Sequence, residues 1–371
     1  MISTQSTSEP TEEYNRRILN ISEDLLDGFH EHPFQEISRQ CGLELDFVIQ
    51  RIQKMLAAGT IRRVRQTLLA PKLAHGCLAA WQVPSSKLQS AFRFMVDNDP
   101  FSGHVVIRST DKNFQGAQFN LWTTLKVPQG ESLEEHALTL QKLVGARAFH
   151  LMPAKGIFTL GVGHMRRRKL SPSAKQDEPA TMVTTNQVDL SELEWRVLLA
   201  IREEFSLEEI NSHPWEQRAK DTRIPYDEFL RHAKNLDQKG TIGRFATFLE
   251  HTKPSAKGEK ITRYNALFHW AVPKGSEQRA GSEIARHLCL THCYWREGGP
   301  QFGNANIMGV VHGCDQDRIF AQKSAIDDHL KKSGIPLHYT NVFWGGKSEI
   351  KPSEISPNIY QQWKMDYAAL K

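Results

Sequence analysis

The chain has 371 residues, 39% of them hydrophobic and 24% charged, with a formal net charge of +5 at pH 7. These proportions exclude a disordered or fibrous chain, and the length allows about two to four domains that each bury a core. No apolar run is long enough to cross a bilayer, and the polar N-terminus is unlike a secretory signal, so we expect a cytoplasmic protein. Five cysteines without framework spacing predict free thiols in a reducing compartment. The mildly basic charge allows an anionic partner but does not require one.

The first part of the chain has helical periodicity. Residues 1–13 are predicted to be a disordered leader, and 14–72 to contain three helices and a strand. Gly42 ends a short second helix, apolar residues recur at helical spacing from Leu45 onward, and the strand begins at Ile61. Three helices followed by a strand predict a winged helix-turn-helix.

Residues 73–165 change to a mixed pattern. The order strand, helix, strand, strand, helix, strand predicts a ferredoxin-like (βαββαβ) domain. Helices would cover one face of its sheet and leave the other face for a partner or a ligand. The predicted elements are strands at 76–83, 105–109, 119–127 and 157–162, and helices at 87–96 and 133–144.

A polar linker is expected at 166–188, and its basic run at 166–169 is expected to be solvated. The pattern then starts again. A second winged helix-turn-helix is predicted at 189–258, a second ferredoxin-like domain at 259–347 and a C-terminal tail at 348–371. The strands of this second domain are predicted at 266–272, 292–296, 306–311 and 337–343, with helices at 282–287 and 318–330.

Short sequence matches recur at a nearly constant distance along the chain. Trp81 in Trp-Gln-Val-Pro corresponds to Trp270 in Trp-Ala-Val-Pro (270 − 81 = 189). His104 and His292 follow the same repeat (292 − 104 = 188). Matches in the same order at similar offsets predict an α+β protein built as a tandem duplication of one winged helix-turn-helix plus ferredoxin-like unit. The two tryptophans are expected to be core residues.

The second strand of each predicted ferredoxin-like domain carries a histidine and an arginine four residues apart. Side chains alternate faces along a strand, so His292, Tyr294 and Arg296 are expected to share one face, as are His104 and Arg108. A guanidinium can hold a carboxylate while an imidazole moves a proton, which suits an anionic ligand. For a single copy the alternative is a surface strand with outward polar residues, and the recurrence favours a site.

The helix-turn-helix followed by a ferredoxin-like domain resembles the Lrp/AsnC transcriptional regulators, and three motifs are more similar to the siroheme decarboxylases. Thr291-His292-Cys293-Tyr294-Trp295-Arg296 resembles their Thr-His-Asn-Tyr-x-Arg motif, with Cys293 in place of asparagine. Asn120-Leu121-Trp122 resembles their Asn-Leu-Trp motif, and Gly59 to Arg63 their Gly-x-Ile-Arg-Arg sequence. These enzymes consist of paired related subunits, and fused two-unit forms exist, which is consistent with the duplication.

Neither copy carries every motif. The first has Val106 in place of the motif tyrosine, and the second has Asn306-Ile307-Met308 in place of Asn-Leu-Trp and Gly243 in place of one arginine. Either the two copies share one site, or only one copy is active.

The resemblance implies a carboxy-lyase that removes the acetate carboxyls at C12 and C18 of siroheme to give 12,18-didecarboxysiroheme, in haem or haem d1 biosynthesis. It implies no cofactor, because the substrate carries the iron. The implied catalytic residues are His292, His104 and Tyr294. The implied substrate-binding residues are Arg296, Arg108, Arg62, Arg63, Arg244, Asn120, Trp122 and Asn306. A histidine could donate a proton or ligate the substrate iron, and the sequence leaves both roles open.

Two other functions are considered, a DNA-binding regulator of the Lrp/AsnC type and a non-catalytic tetrapyrrole-binding protein. The third predicted helix of each half begins with acidic residues, which repel phosphate, so no nucleic-acid partner is expected. The expected partner is a tetrapyrrole, a homodimer is compatible with the pattern, and no membrane is involved. His269 and His312 are expected to be packed or exposed rather than catalytic, and the spacing of His150 and His338 (338 − 150 = 188) hints at a shared role.

Overall fold

The structure is a computed structural model, and it describes residues 8–161, 163–251, 253–255, 257–258, 260–351 and 354–367. The chain divides into two compact units. A helical unit takes the residues up to Lys72, Gly161–Lys169 and Val188–Arg263, and a barrel unit takes Leu73–Leu160, Leu170–Gln187 and the residues from Tyr264 onward.

In the first half of the chain the elements are α1 (Glu13–Ser22), β1 (Leu26–Asp27), α2 (Pro33–Cys41), α3 (Leu45–Ala57), β2 (Ile61–Leu68), β3 (Ala74–Gln82), α4 (Leu88–Asp97), β4 (Ser102–Ser109), β5 (Leu121–Pro128), α5 (Leu133–Val144), β6 (Ala148–Leu160), α6 (His164–Arg167) and β7 (Val183–Thr184). In the second half they are α7 (Glu192–Arg202), α8 (Glu216–Thr222), α9 (Tyr226–Gln238), β8 (Ile242–Leu249), β9 (Tyr264–Ala271), α10 (Glu277–Ala285), β10 (Leu290–Arg296), β11 (Ile307–Gly313), α11 (Gln316–Lys332), β12 (Tyr339–Ile350) and α12 (Pro357–Asp366). The chain is therefore a mixed α+β protein, as predicted.

Two segments predicted to lie outside the folded domains, the leader and the C-terminal tail, contain packed residues. Of the predicted disordered leader, residues 1–7 lie outside the described residues, but Glu9 is buried and the Glu12 carboxylate caps α1 at the Asn15 amide, 3.0 Å away. The predicted tail contains the end of β12 and the whole of α12, whose Tyr360 and Trp363 are buried against the helices and strands of the barrel unit. The apolar residues Tyr360, Trp363 and Tyr367 recur at helical spacing, a signal for α12 that the prediction of a tail overlooked.

The strands of the barrel unit close on themselves. Four strands in the order β4-β5-β3-β6 and four in the order β10-β11-β9-β12 join where β6 pairs with β10 and β12 pairs with β4, all antiparallel. The predicted last strand at 157–162 overlaps the second half of β6, and its residue 162 lies outside the described residues. β6 begins nine residues earlier than 157, at Ala148, because its two halves pair with different strands, β3 and β10. In a ring of eight antiparallel strands, β4 and β10 lie four strands apart, so they run in the same direction on opposite sides.

Helices cover only the outer face of the barrel. Outward side chains pack with α4, α5 and α12 on one side and with α10 and α11 on the other. The inner face was expected to remain available for a partner or ligand, but its centre is filled with side chains, because closure turns that face inward. The inner cluster consists of Ala80, Val106, Phe119, Trp122, Met152, Leu267, Phe302, Ala305, Met308 and Phe343.

The helical unit combines residues from both halves of the chain around one core. β2 pairs with β8 along most of its length, and β8 also pairs with β1. Phe34 of the first half lies 5.4 Å from Phe245 of the second, ring centroid to centroid. Gly42 ends α2 in the left-handed conformation at φ +62°, as its position predicts, and Ser191 begins α7 with a capping box to Glu194. No helix in the described part of the chain is long and apolar enough to span a bilayer.

The basic run predicted to be solvated is instead partly buried in the helical unit. Arg166 and Arg167, in α6, both donate to the carboxylate of Asp24, with Nε of Arg166 and Nη1 of Arg167 at 2.9 and 2.7 Å. Burial raises the pKa of Asp24, but the hydrogen bonds and charges of these arginines outweigh it and hold that pKa below its usual range. The sequence did not predict the burial of this run, because the acidic partner, Asp24, lies 142 residues before Arg166 in the chain.

Glu23, next to Asp24, is fully buried and accepts a hydrogen bond from the Met165 amide at 2.8 Å. Burial, with the nearby charge of Asp24, raises its pKa from 4.5 to about 8, although backbone hydrogen bonds oppose the shift. The folded chain therefore binds this proton more tightly than the unfolded chain. Its contribution to stability is complete below about pH 4.5 and is lost as the pH rises toward 8.

We predict that Glu23→Gln flattens this pH dependence. Between pH 5 and 8 each pH unit removes up to about 1.4 kcal/mol from the wild type through Glu23, whereas glutamine has no proton to lose. Thermal unfolding midpoints measured across this range should therefore fall less steeply for the variant. Glu13→Gln, at an exposed position of α1, the helix that ends just before Glu23, is the matched control and should follow the wild type. Parallel curves for Glu23→Gln and wild type would contradict the assignment.

Candidate active site in the barrel

On β10, the motif residues His292, Tyr294 and Arg296 face the inside of the barrel. Tyr294 lies opposite Met308 of the inner cluster, whereas Cys293 and Trp295 pack outward against helices. The His292 and Tyr294 rings are stacked at 15° with centroids 6.2 Å apart, and Cζ of Arg296 lies 4.4 Å from the Tyr294 centroid. The predicted alignment is present, as a histidine–tyrosine–guanidinium stack along one strand.

β4 presents the equivalent positions from the opposite side of the barrel. Val106 belongs to the inner cluster, so His104 and Arg108, two residues before and after it, lie on the same face. The backbone amide of His104 donates to the Thr124 hydroxyl at 2.9 Å. Because β4 and β10 run in the same direction, the two histidines lie toward one end of the barrel and the two arginines toward the other.

Both arginines are buried, with Arg108 5% and Arg296 8% exposed. Nη1 of Arg296 donates to the Met152 carbonyl at 2.6 Å, and Nη1 of Arg108 to that of Phe343 at 3.4 Å. Burial lowers the pKa of Arg108 to about 9 and also lowers that of Arg296. Neither pairs with a carboxylate within the described part of the chain. A buried charge without a counter-charge is costly, so an anionic ligand would relieve both sites.

The surroundings of Arg108 are rich in hydrogen-bonding nitrogens. Nε of Arg108, Nδ2 of Asn341 and both ring nitrogens of His269 are buried without a partner among the described residues. Asn341 and His269 are cross-strand neighbours on β12 and β9. Burial, reinforced by the charge of Arg108, lowers the pKa of His269 to about 3 and keeps its imidazole neutral. His269 is packed, as expected, and this part of the barrel offers donors suited to a carboxylate.

Two loops close the arginine end of the barrel. The loop after β4 carries Phe119 and the loop after β10 carries Phe302, and their ring centroids lie 5.2 Å apart. Trp122, expected to contact substrate, packs 5.3 Å from Phe302 with no exposure and donates to the Phe119 carbonyl at 2.8 Å. Its place in the filled centre of the barrel gives it a core role.

Asn120 and Asn306 make the same contacts in the two copies. The Asn120 side chain accepts from the Val83 amide at 3.1 Å and donates to the Val83 carbonyl at 2.8 Å. Asn306 does the same with Val272, at 2.9 Å for both bonds. Each side chain holds the end of the first strand of its domain. We therefore assign both residues a structural role instead of the substrate contact that the motif suggested.

The other three predicted arginines lie in the helical unit. Arg62 and Arg63 are on β2, where Arg63 pairs with Glu204 at 3.2 Å. Arg244 is on β8, and its Nε donates to the Glu23 carbonyl at 3.3 Å. Burial lowers the pKa of Arg244, while Asp24 and Asp27 oppose that shift. The structure thus gives Arg63 and Arg244 contacts within their own unit.

His312, which the sequence predicted to be packed or exposed rather than catalytic, is linked to the motif histidine. Its Nδ1 lies 3.3 Å from the Thr291 hydroxyl, which also lies 3.1 Å from Nδ1 of His292. Nε2 of His312 lies 2.8 Å from Nδ2 of Asn265. Strand alternation could place His312 on the inner face of β11, but the register shift between Leu290 and His292 that turns Thr291 toward it is not visible in the sequence.

The cysteines that the structure describes are all free thiols, and four of the five are buried: Cys41, Cys77, Cys289 and Cys293. Burial raises the pKa of Cys293, whose sulfur lies 3.9 Å from the Gly281 carbonyl on the outer face of the barrel. The described residues contain no group of three or more histidine, cysteine or acidic side chains arranged to hold a metal ion.

Residues 73–159 and 262–343 match the model of the AsnC-like ligand-binding domain. The siroheme decarboxylase of Hydrogenobacter thermophilus is 26% identical over 289 residues, which span 77% of this chain and 80% of that protein. The siroheme decarboxylase NirDL subunit of Paracoccus pantotrophus is 22% identical over 294 residues, spanning 78% and 83%. The crystal structure of the siroheme decarboxylase NirDL shares the fold, with a TM-score of 0.66 at 20% identity, covering 97% of this chain and 99% of that one.

The fold and the matched segments define a protein with two AsnC-like ligand-binding domains in one polypeptide. Together with the relatives, they place the chain in the siroheme decarboxylase family, in its single-chain fused form. The resemblance drawn from the short motifs is thereby confirmed.

We predict that Asn120→Ala and Asn306→Ala each lower the free energy of unfolding by about 1–3 kcal/mol, because each leaves a buried backbone donor and acceptor unpaired. Urea unfolding measures this loss. Gln118→Ala is the control, since it removes only an exposed side-chain hydrogen bond to Gln82. An Asn306→Ala variant as stable as the wild type would show that the strand end does not depend on this side chain.

Proposed function

We propose that the chain is a siroheme decarboxylase acting on the acetate side chains of siroheme, with 12,18-didecarboxysiroheme as product. The observation that carries the proposal is the pair of buried arginines, Arg108 and Arg296, at equivalent strand positions without a carboxylate partner among the described residues. Siroheme carries several carboxylates, which are the natural counter-charges for such groups. The relatives named siroheme decarboxylase, and a NirDL structure solved with an iron-uroporphyrin III analogue at a TM-score of 0.65, support this substrate class.

The reaction requires one proton for each carboxylate lost. The bond between the acetate CH₂ and its carboxylate breaks, carbon dioxide leaves, and the electron pair stays on the carbon attached to the pyrrole. That carbon then takes a proton and becomes a methyl group. No electrons are gained or lost overall, so the proposed reaction needs neither an oxidant nor a cofactor, and the iron arrives with the substrate.

The motif residues divide these tasks. Arg296 and Arg108 hold carboxylates of the substrate, and the stacked Tyr294 ring fixes the plane of the Arg296 guanidinium. His292 supplies the proton to the carbon that lost carbon dioxide, a general-acid role that contributes about 10²–10⁴-fold. His104 occupies the equivalent position. Ligation of the substrate iron by His292 is the other role open to this residue, and the two roles have different consequences in a variant.

We also propose that the duplication extends through the whole chain. The helical unit contains the order helix, helix, helix, strand twice, as α1, α2, α3, β2 and as α7, α8, α9, β8. The barrel unit contains the order strand, helix, strand, strand, helix, strand twice. This recurrence supports two winged-helix plus ferredoxin-like units in tandem.

We predict that loss of the arginine affects substrate binding, whereas loss of the histidine affects turnover. Arg296→Ala should weaken siroheme binding roughly ten- to hundredfold, because a charged hydrogen bond contributes about 1.5–3 kcal/mol. His292→Ala should bind siroheme nearly as well as the wild type yet lose turnover by roughly 10²-fold or more. Siroheme titration by absorbance and product analysis by mass measure the two effects, and His104→Ala shows whether the first copy has the same role.

Arg93→Ala, at an exposed position of α4, is the control for loss of positive charge, and thermal melting reports whether Arg296→Ala remains folded. If His292→Ala binds siroheme with a changed visible spectrum, the residue is an iron ligand rather than a proton donor. Full turnover by His292→Ala would mean that the site lies elsewhere.

We predict that the chain does not select a DNA sequence. α3 begins with Asp46 in its first turn, and α9 with Asp227 and Glu228, so both candidate recognition helices would present carboxylates to the phosphate backbone. Selection from a random DNA pool at physiological salt should return no enriched site. One enriched sequence bound with a nanomolar dissociation constant would instead support a regulator.

A further inference from the structure

The hydroxyl of Thr291 is the meeting point of three hydrogen bonds. Thr291 is 1% exposed, and its Oγ1 lies 3.1 Å from the Val310 carbonyl, 3.1 Å from Nδ1 of His292 and 3.3 Å from Nδ1 of His312. Asn265 Nδ2 lies 2.8 Å from Nε2 of His312. All five residues belong to the barrel unit.

The number of protons available decides the direction of each bond. A threonine hydroxyl has one proton and two acceptor lone pairs, and a backbone carbonyl can only accept. Thr291 therefore donates to Val310, and each of its two lone pairs accepts from an imidazole. His312 fits this arrangement, because it accepts from the Asn265 amide at Nε2 and so carries its own proton on Nδ1.

We propose that Thr291, supported by His312 and Asn265, is a positioning residue that fixes the tautomer of His292. The shared hydroxyl keeps the proton of neutral His292 on Nδ1 and leaves Nε2 as the atom that accepts or releases a proton. Nε2 is on the side of the ring away from Thr291, and the ring itself lies on the inner face of the barrel beside Tyr294. His312 donates a hydrogen bond to the second lone pair of the Thr291 hydroxyl and so limits rotation of that hydroxyl.

This inference rests on the proposed function and specifies its atoms. In the decarboxylation, protonated His292 would give the proton of Nε2 to the substrate carbon. Nε2 would then take up a proton from solvent, while Nδ1 keeps its own proton and its hydrogen bond to Thr291. A histidine of the wrong tautomer would present an N–H where a lone pair must take up the next proton. Thr291 does not itself contact the reacting atoms in this scheme.

The test uses ¹⁵N-histidine-labelled full-length protein, in which two-dimensional spectra of the imidazole nitrogens distinguish Nδ1–H from Nε2–H tautomers. His292→Ala identifies the His292 signals by their disappearance. We expect neutral His292 to be the Nδ1–H tautomer in the wild type and in Thr291→Ser, which keeps the hydroxyl. In Thr291→Val, which keeps the shape but loses the hydroxyl, this tautomer should no longer dominate.

Turnover provides the second measurement. Thr291→Val should lose siroheme turnover by at least roughly tenfold, with affinity within about threefold of wild type, and Thr291→Ser should recover most of the rate. An Nε2–H tautomer in the wild type, or an unchanged tautomer in Thr291→Val, overturns the proposal. If the tautomer behaves as expected but wild type does not decarboxylate siroheme, the proposed function fails while the role of Thr291 stands.

Discussion

The pairings of β6 with β10 and of β12 with β4 close the barrel, and this closure decides where polar side chains can lie. Each of the eight strands must direct alternate residues into one shared interior. The centre of that interior is occupied by large rings such as Trp122, Phe302 and Phe343. The motif histidines and arginines of both copies lie toward opposite ends of the strands, while His269 packs as a neutral imidazole 4.9 Å from Phe343 in this interior.

Closure also makes the arginines costly to bury. A guanidinium inside a closed sheet loses water on every side, and Arg108 and Arg296 each recover a carbonyl contact from the chain. Arg296 gains a second interaction, the face of the Tyr294 ring, which β4 does not provide because Val106 stands at that position. Such groups are stabilised most by a ligand that brings its own negative charge, and a tetracyclic substrate with several carboxylates can supply it to both sides of one barrel.

The sequence predicted those features that depend on neighbours along the chain. The alternation of side chains along a strand placed His292, Tyr294 and Arg296 on one face. The sequence repeat made Asn306 the equivalent of Asn120 in the second copy. The predictions of a solvated basic run and of a substrate contact for Asn120 failed because they depended on contacts distant in sequence. These contacts are Arg166 with Asp24 and Asn120 with Val83. The motif marked Asn120 without revealing that its amide serves the backbone, and a register shift brought Thr291 to His312. Strand closure itself is a pairing of two edges that no local pattern encodes.

The two copies differ most at the residues around their histidines. Gly103 stands before His104 where Thr291 stands before His292, so the first copy has no hydroxyl at the position that bonds the imidazole Nδ1. The first copy also lacks the stacking tyrosine, yet it keeps Arg108 in a setting rich in donors. Within the proposed function, these differences assign proton transfer to His292 and carboxylate binding to both copies. A duplicated unit can diverge in this way because one fixed imidazole is enough for the chemistry, whereas a substrate with carboxylates around its whole rim benefits from arginines on both sides.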